Sequence, residues 1–259
     1  MNKGGKKRAI GLLFILLSLI SFISGGYIWY MNTRCTDING FTASQKIKLS
    51  TDSASIVFSD HHFNMNEELP SILQIVINPD NFMSERWTIQ NNLEKDVFIG
   101  IAAADKAQEY SKLMHYKEAD DWDITGGPWE IKIWVNTYQN HLGADSTQPP
   151  GNANIWIASG SGKDVAEFEK TMVSGDYWVM IMNVDGSSGI DVDLHAGYKM
   201  PLLLGLSNIL IGIGLVLGAC SIILYILSRA RSPIVNHITR SVRRSLILTC
   251  AHARTSPSG

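Results

Sequence analysis

The chain has 259 residues, 45% of them hydrophobic, a formal net charge of −2 and three cysteines. The small sum hides an asymmetry: all 24 acidic residues lie between Asp37 and Asp193, whereas residues 1–8 and 228–259 carry ten Lys or Arg and no carboxylate. The middle is therefore strongly acidic, which excludes nucleic acid as its partner, because phosphate binding needs clustered positive charge.

Residues 1–8 form a basic N-terminus with Lys3, Lys6, Lys7 and Arg8. Residues 9–30 follow without a single charge and end on Tyr27, Trp29 and Tyr30. An apolar helix rises about 1.5 Å per residue, so about 20 residues cross a hydrocarbon core of roughly 30 Å, and amphipathic rings favour its interface. This predicts transmembrane helix 1, an uncleaved signal anchor. The alternative is a cleaved signal peptide ending at Ser24-Gly25-Gly26. A cleavable apolar region usually spans about 7–15 residues, and here the apolar character continues through Tyr30.

Residues 31–199 are expected to form an extracytoplasmic domain. Cys35 is its lone cysteine, since Cys220 lies in the second apolar run and Cys250 in the tail. Cys35 is read as an intermolecular disulfide between two copies or as a free thiol. Asn-x-Ser/Thr acceptors are absent, which fits a prokaryotic cell envelope.

The domain reads as mainly β: an antiparallel β-sandwich with one short helix. Short apolar or alternating runs at 46–50, 55–59, 72–78, 85–90, 96–102, 129–137, 154–158, 166–172, 177–184 and 190–194 alternate with Gly, Pro and Asn turn signals. In 129–137, Trp129, Ile131, Ile133 and Val135 share one face, and Glu130, Lys132, Trp134 and Asn136 the other. The run 177–184 is apolar on both faces and is placed centrally. A helix is expected over 105–114 with Asp105 as N-cap, and a polar loop over 139–152.

Several stretches carry a resemblance: Val97-Phe98-Ile99-Gly100-Ile101-Ala102, Trp156-Ile157-Ala158-Ser159-Gly160-Ser161-Gly162, and Gly175-Asp176-Tyr177-Trp178-Val179 with Met182-Asn183-Val184-Asp185-Gly186-Ser187. Over about residues 85–195 and both apolar runs, the chain resembles a family of uncharacterised bacterial and archaeal two-span membrane proteins. That resemblance implies an extracytoplasmic β-domain between two spans and no known site residue.

Residues 200–227 form a second uncharged run, predicted to be transmembrane helix 2, with Gly214 and Gly218 spaced for close helix packing. Residues 228–259 form a basic tail. Val235, Ile238, Val242 and Leu246 recur there at helical spacing, as in an amphipathic helix on anionic lipid, and a disordered tail is the alternative. Basic residues flank both runs, so both tails are expected in the cytoplasm and residues 31–199 outside the plasma membrane.

Chemistry-bearing clusters are sparse. Asp185, Asp191 and Asp193 supply oxygens of the kind Ca²⁺ prefers, but in an ordinary turn composition. Asp120, Asp121 and Asp123 form a second acidic cluster around Trp122. His61 and His62 follow Asp60, yet neighbours on a strand diverge, and His115, His141 and His195 are isolated. These histidines are expected at the surface or in turns. Ser159–Asp164 lacks the spacing of a phosphate loop. Trp134 with Glu130 and Lys132 is a candidate ligand face, suited to stacking on a sugar. No catalytic set, resident metal or cofactor is expected.

The expected function is non-catalytic: binding, sensing or scaffolding at the cell envelope. The lipid bilayer and another membrane protein, or a second copy, are the partners. The alternatives are an extracytoplasmic hydrolase using carboxylates such as Asp120, Asp121 or Glu130 on envelope polymers, and a purely structural membrane protein.

Overall fold

The computed structural model describes residues 3–64, 83–127, 129–146 and 148–252, with side chains placed for residues 9–64, 83–127, 129–146 and 148–227. The run 72–78 lies outside the described residues, as do the side chains of the basic tail. Three helices are described: α1 (Lys3–Cys35), α2 (Ala104–Ser111) and α3 (Pro201–His252). Contacts divide the chain into two units, Met1–Trp29 with Leu206–Gly259, and Tyr30–Gly205.

In the first unit, α1 and α3 each hold a stretch long and apolar enough to cross a membrane, Ala9–Cys35 and Pro201–Leu227. They run antiparallel, because partners move up one helix as they move down the other. Ser221 Oγ donates to the Gly11 carbonyl at 3.0 Å, and Ser18 Oγ to the Gly214 carbonyl at 2.7 Å. A Cβ at Gly25 would lie 2.9 Å from the Ser207 carbonyl oxygen, and one at Gly214 2.9 Å from the Phe22 ring. A Cβ at Gly218 would lie 3.2 Å from Ser18 Oγ. Missing side chains thus let the backbones approach, and two serine hydroxyls cross the gap.

The second unit holds eleven strands: β1 (Thr42–Ala43), β2 (Ile47–Thr51), β3 (Ser55–Phe63), β4 (Ser84–Asn91), β5 (Val97–Ala103), β6 (Tyr116–Gly127), β7 (Glu130–His141), β8 (Trp156–Gly162), β9 (Val165–Thr171), β10 (Gly175–Asn183) and β11 (Ile190–Lys199). One sheet runs β1-β11-β4-β9, with β2 also paired to β11. The other runs β7-β6-β3-β10-β5-β8. A single core draws Trp87, Ile89, Phe168 and Leu194 from the first sheet and Phe58, Ile99, Val179 and Ile181 from the second.

On the inner face of the first sheet the register stacks side chains in rows. Leu194, Ile89 and Ala166 stand side by side, then Ala196, Trp87 and Phe168, then Tyr198, Glu85 and Lys170. The far face of the second sheet is also covered: Val57, Trp178, Met180 and Met182 pack with Ala107 of α2, Met114 and Tyr116. This cover explains why β10 is apolar on both faces. It lies between β3 and β5, in the interior of its sheet.

Several expectations need correction. The sheets are not wholly antiparallel, since β3 and β6 pair in parallel. β4 and β5 intervene between them in sequence, so no hairpin imposes an antiparallel return. β6 falls on no predicted run, because its exposed Asp120, Asp121 and Asp123 interrupt the apolar pattern around half-buried Trp122 and Ile124. Asp105 is not the N-cap of α2. Ala103, extended at φ −61° and ψ 141°, holds that place without a side-chain bond, and Asp105 sits in the first turn, favourable to the helix dipole. The polar stretch after Gln139 begins as strand, since β7 continues to His141.

Ser159–Gly162 is strand as well. β8 pairs with β5 while its glycines press on β9: a Cβ at Gly160 would lie 1.8 Å from the Glu167 carbonyl oxygen, and one at Gly162 2.1 Å from that of Val165. Gly160→Ala is expected to destabilise the domain by about 1–3 kcal/mol through overpacking against backbone. Gly151→Ala, with open space around its Cβ position, serves as the control. Denaturant unfolding followed by tryptophan fluorescence reads both.

Candidate functional site

The site is built by an irregularity in β3. Its register with β10 runs Ile56–Ile181, Val57–Met180 and Phe58–Val179, then resumes at His61–Tyr177. Ser59 and Asp60 thus oppose Trp178 alone, and Asp60 takes a left-handed conformation at φ 56°. Strict alternation from Phe58 would turn His61 outward. The extra residue reverses the parity and aims His61 into the domain while His62 faces out. The bulge is fixed from the neighbouring strand, where Trp122 Nε1 donates to the Ser59 carbonyl at 2.7 Å.

Inside, His61 Nε2 lies 2.9 Å from Glu85 Oε2, and the carboxylate has no exposure to solvent. The Trp87 indole N–H donates to the same oxygen at 3.2 Å. A carboxylate only accepts, so His61 donates through Nε2, and in the neutral imidazole the lone pair is then on Nδ1. The rings of Trp87 and Trp122 flank the imidazole at centroid distances of 6.0 and 5.6 Å.

Lys170 stands opposite Glu85 across the β4–β9 ladder. Its ammonium sits 3.2 Å from the centre of the Tyr177 ring. Among the described residues, neither Lys170 Nζ nor Glu85 Oε1 has a hydrogen-bond partner. Burial pushes the Lys170 pKa below the usual lysine range, opposed by the Glu85 charge. Three ionisable groups in one core cost desolvation that an apolar row would avoid.

Above this row opens a cleft of about 460 Å³, lined by Asp60, His61, Trp122, Asp123, Tyr198 and three methionines, Met83, Met172 and Met200. Its volume falls in the range of about 300–1,000 Å³ typical of ligand pockets. Tyr198 and Met200 immediately precede α3.

The sequence candidates are dispersed. Trp134, Glu130 and Lys132 share a face of the edge strand β7, where Lys132 pairs with Glu130 at 2.9 Å beside a half-buried Trp134. Asp185 accepts from the backbone and hydroxyl of Ser187 at 2.9 and 2.6 Å, and these bonds hold its carboxyl below the usual range. Asp191 and Asp193 project from the outer face of β11, with Asp191 3.4 Å from Lys48 and both bonded to Asn92. Asp121 accepts from Asn136 at 3.0 Å, and Asp123 from the Ile124 amide at 2.7 Å. Among the described residues no three His, Cys, Asp or Glu are placed to hold a metal ion. Cys35 ends α1 as a half-buried free thiol.

The histidine expectation needs correction at His61, which is only 11% exposed and hydrogen-bonded to Glu85 in the interior. His195 is half-buried on β11, where burial, and then the Lys46 and Arg86 charges, push its pKa down. Sequence reasoning also missed Glu85 and Lys170. Their signal is parity: Glu85 alternates with Trp87 and Ile89, and Lys170 with Phe168 and Ala166, each on an apolar face.

No protein-family model and no curated protein matches the chain. Two solved structures overlap it weakly. One is described as "Bacillus endospore appendages form a novel family of disulfide-linked pili" (8% identity, 64% of this chain, 96% of that chain, TM-score 0.24). The other is cowpea mosaic virus top component, a naturally occurring empty particle (6% identity, 64% of this chain, 86% of that chain, TM-score 0.22). Likeness at this level carries no argument about fold or function.

Glu85→Ala is expected to cost about 3–5 kcal/mol, because it strands a buried ammonium and a buried imidazole. Adding Lys170→Met should recover about 1–3 kcal/mol of that loss, the coupling expected of neighbours in one network. Lys170 binds its proton more weakly folded than unfolded, so stability should rise with pH toward the ordinary lysine value of 10.5, a slope that Lys170→Met removes. Urea unfolding of the four proteins at several pH values measures both effects.

Proposed function

We propose that the chain is a two-span membrane protein whose β-sandwich is displayed on the extracytoplasmic side and acts there by binding, as a sensing or scaffolding module. The observation that carries this reading is the apolar surface of the helical unit. Leu12, Ile20 and Ile23 of α1 and Ile209, Val216 and Ile222 of α3 are each at least 60% exposed. Apolar surface of that extent over two stretches of 27 residues is at home in hydrocarbon. The ten basic residues at the two flanks support a cytoplasmic side for those flanks.

The β domain suits such an arrangement because its two ends meet. Thr42, just after α1, pairs with Tyr198, just before α3. Asp37 caps the intervening turn through the Asn39 and Phe41 amides and pairs with Arg86, whose guanidinium lies 4.1 Å from the centre of the Phe41 ring. Burial alone would raise the Asp37 pKa, but its bonds from Phe41 and Arg86 outweigh that and hold it low. Entry and exit of the domain are thereby fixed side by side, and the cleft abuts the exit strand. A ligand in the cleft would press on Tyr198 and Met200, the residues from which α3 departs, which gives the sensing reading a physical route.

Reporter thiols test the topology. In a chain with its cysteines changed to Ser, Asp145→Cys is expected to react with an impermeant maleimide on intact cells. Gly4→Cys and Ser256→Cys should react only after permeabilisation. Labelling of either tail from outside overturns the reading.

A further inference from the structure

We propose that the cleft is a binding site for a soft monovalent metal ion of the Cu(I) type, held by the thioethers of Met83, Met172 and Met200 and by Nδ1 of His61. The inference deepens the binding reading above and rests on it for the compartment only.

The methionines lie just beyond the strand ends of the first sheet. The β4–β9 register ends at Ser84–Thr171, and the Met172 amide donates to the Met83 carbonyl at 2.9 Å. Met83 and Met172 therefore stand opposite each other one step beyond the ladder. Both are buried, Met83 two residues before Glu85 and Met172 two residues after Lys170. The β4–β11 register ends at Ser84–Lys199, so Met200 is the next residue beside Met83, packed against the same core. Side chains directly opposite on one face have Cβ atoms about 4.5–5.5 Å apart, which flexible thioethers bridge. All three line the cleft together with His61.

The ligand set selects the ion. Thioethers are soft and uncharged, and they favour Cu(I) over Mg²⁺, Ca²⁺ or Zn²⁺. Hard cations lack their own set here, since no three His, Cys, Asp or Glu converge among the described residues. The contact with Glu85 fixes which ring nitrogen of His61 is left to a metal. Its Nε2–H is committed to Glu85, which Trp87 also orients, leaving the Nδ1 lone pair for the ion. The carboxylate behind the imidazole offsets the single positive charge. Lys170 opposes it, and its ammonium is turned onto the Tyr177 ring. Methionines filling a core need no such histidine, and the carboxylate-oriented imidazole beside them distinguishes a site from plain packing.

The test uses the purified full-length chain in detergent with Cys35, Cys220 and Cys250 changed to Ser, so that no thiolate competes. Cu(I) is supplied anaerobically with ascorbate and competed with bicinchoninate. The expected result is one equivalent bound. Met83→Leu/Met172→Leu/Met200→Leu, close to volume-conserving, should lose that binding, and Glu85→Gln should weaken it by about 10–100-fold through the imidazole it orients. A triple variant that competes as well as the parent, or a parent that binds no Cu(I), overturns the proposal. Should the triple variant not fold, X-ray absorption of the Cu(I)-loaded parent decides: sulfur with imidazole nitrogen supports the site, and nitrogen or oxygen alone overturns it. The assay is blind to orientation in the membrane, so its failure and a failure of the topology are separately visible.

Discussion

A carboxylate with no exposure to water must find its hydrogen bonds inside, and one end of the β domain is organised around that demand. Glu85 sits on an inward row because β4 alternates, and nothing on its own strand except the Trp87 indole can reach it. The remaining donor comes from the opposite sheet, where it exists only because β3 carries one extra residue. Removing Ser59 or Asp60 from the ladder would return His61 to the outer face and leave the carboxylate to Lys170, whose ammonium lies over an aromatic ring instead. The bulge is itself secured by Trp122, which takes up the Ser59 carbonyl. Bulge, imidazole, carboxylate and two indoles thus form one arrangement, and each member loses its partner if another is withdrawn.

The same end of the domain is where the chain enters and leaves. β11 is paired on both sides, with β1 and β2 along one edge and β4 along the other. That double pairing fixes the strand leading into α3 more tightly than an edge strand could be fixed. The Asp37–Arg86 pair and the Phe41 ring tie the turn after α1 to β4. In the helical unit, close approach comes from glycines at 25, 214 and 218 and from Ser18 and Ser221, whose hydroxyls donate across the gap. Among the described residues, Cys35 and Cys220 are free thiols. The cohesion of each unit is that of packed side chains and hydrogen-bonded backbone, as expected of a domain of this size.

The interior of the domain grades along its length. Rows of Leu, Ile, Ala, Trp and Phe give way to a row with Tyr198, Glu85 and Lys170, and Met83, Met172 and Met200 line the cleft beyond the strand ends. The apolar rows supply the stabilisation, and the polar row works against it. Such a gradient leaves one end of a β domain chemically distinct without any loop devoted to the purpose, whereas the acidic clusters of the surface are tied up in local bonds. Asp185 is spent on its own turn, Asp191 and Asp193 on Asn92 and Lys48, and Asp121 on Asn136.

The sequence by itself determined whatever depends on period and on runs of one residue class. Two uncharged stretches, the charge split around them, the mainly β character between them, the alternation of Ile131 and Ile133 with Glu130 and Lys132, and the doubly apolar β10 all follow from local composition. Tertiary structure alone decided what depends on register. The parallel pairing of β3 with β6, the strand character of Ser159–Gly162 and the inward turn of His61 each hinge on which backbone lies alongside, and a single bulged residue is enough to reverse a face. The residues of the candidate site, His61, Glu85, Lys170 and the methionines, are separated by up to 139 positions yet meet in adjacent rows. No spacing along the chain could carry that information, because two sheets had to pack before those side chains had neighbours.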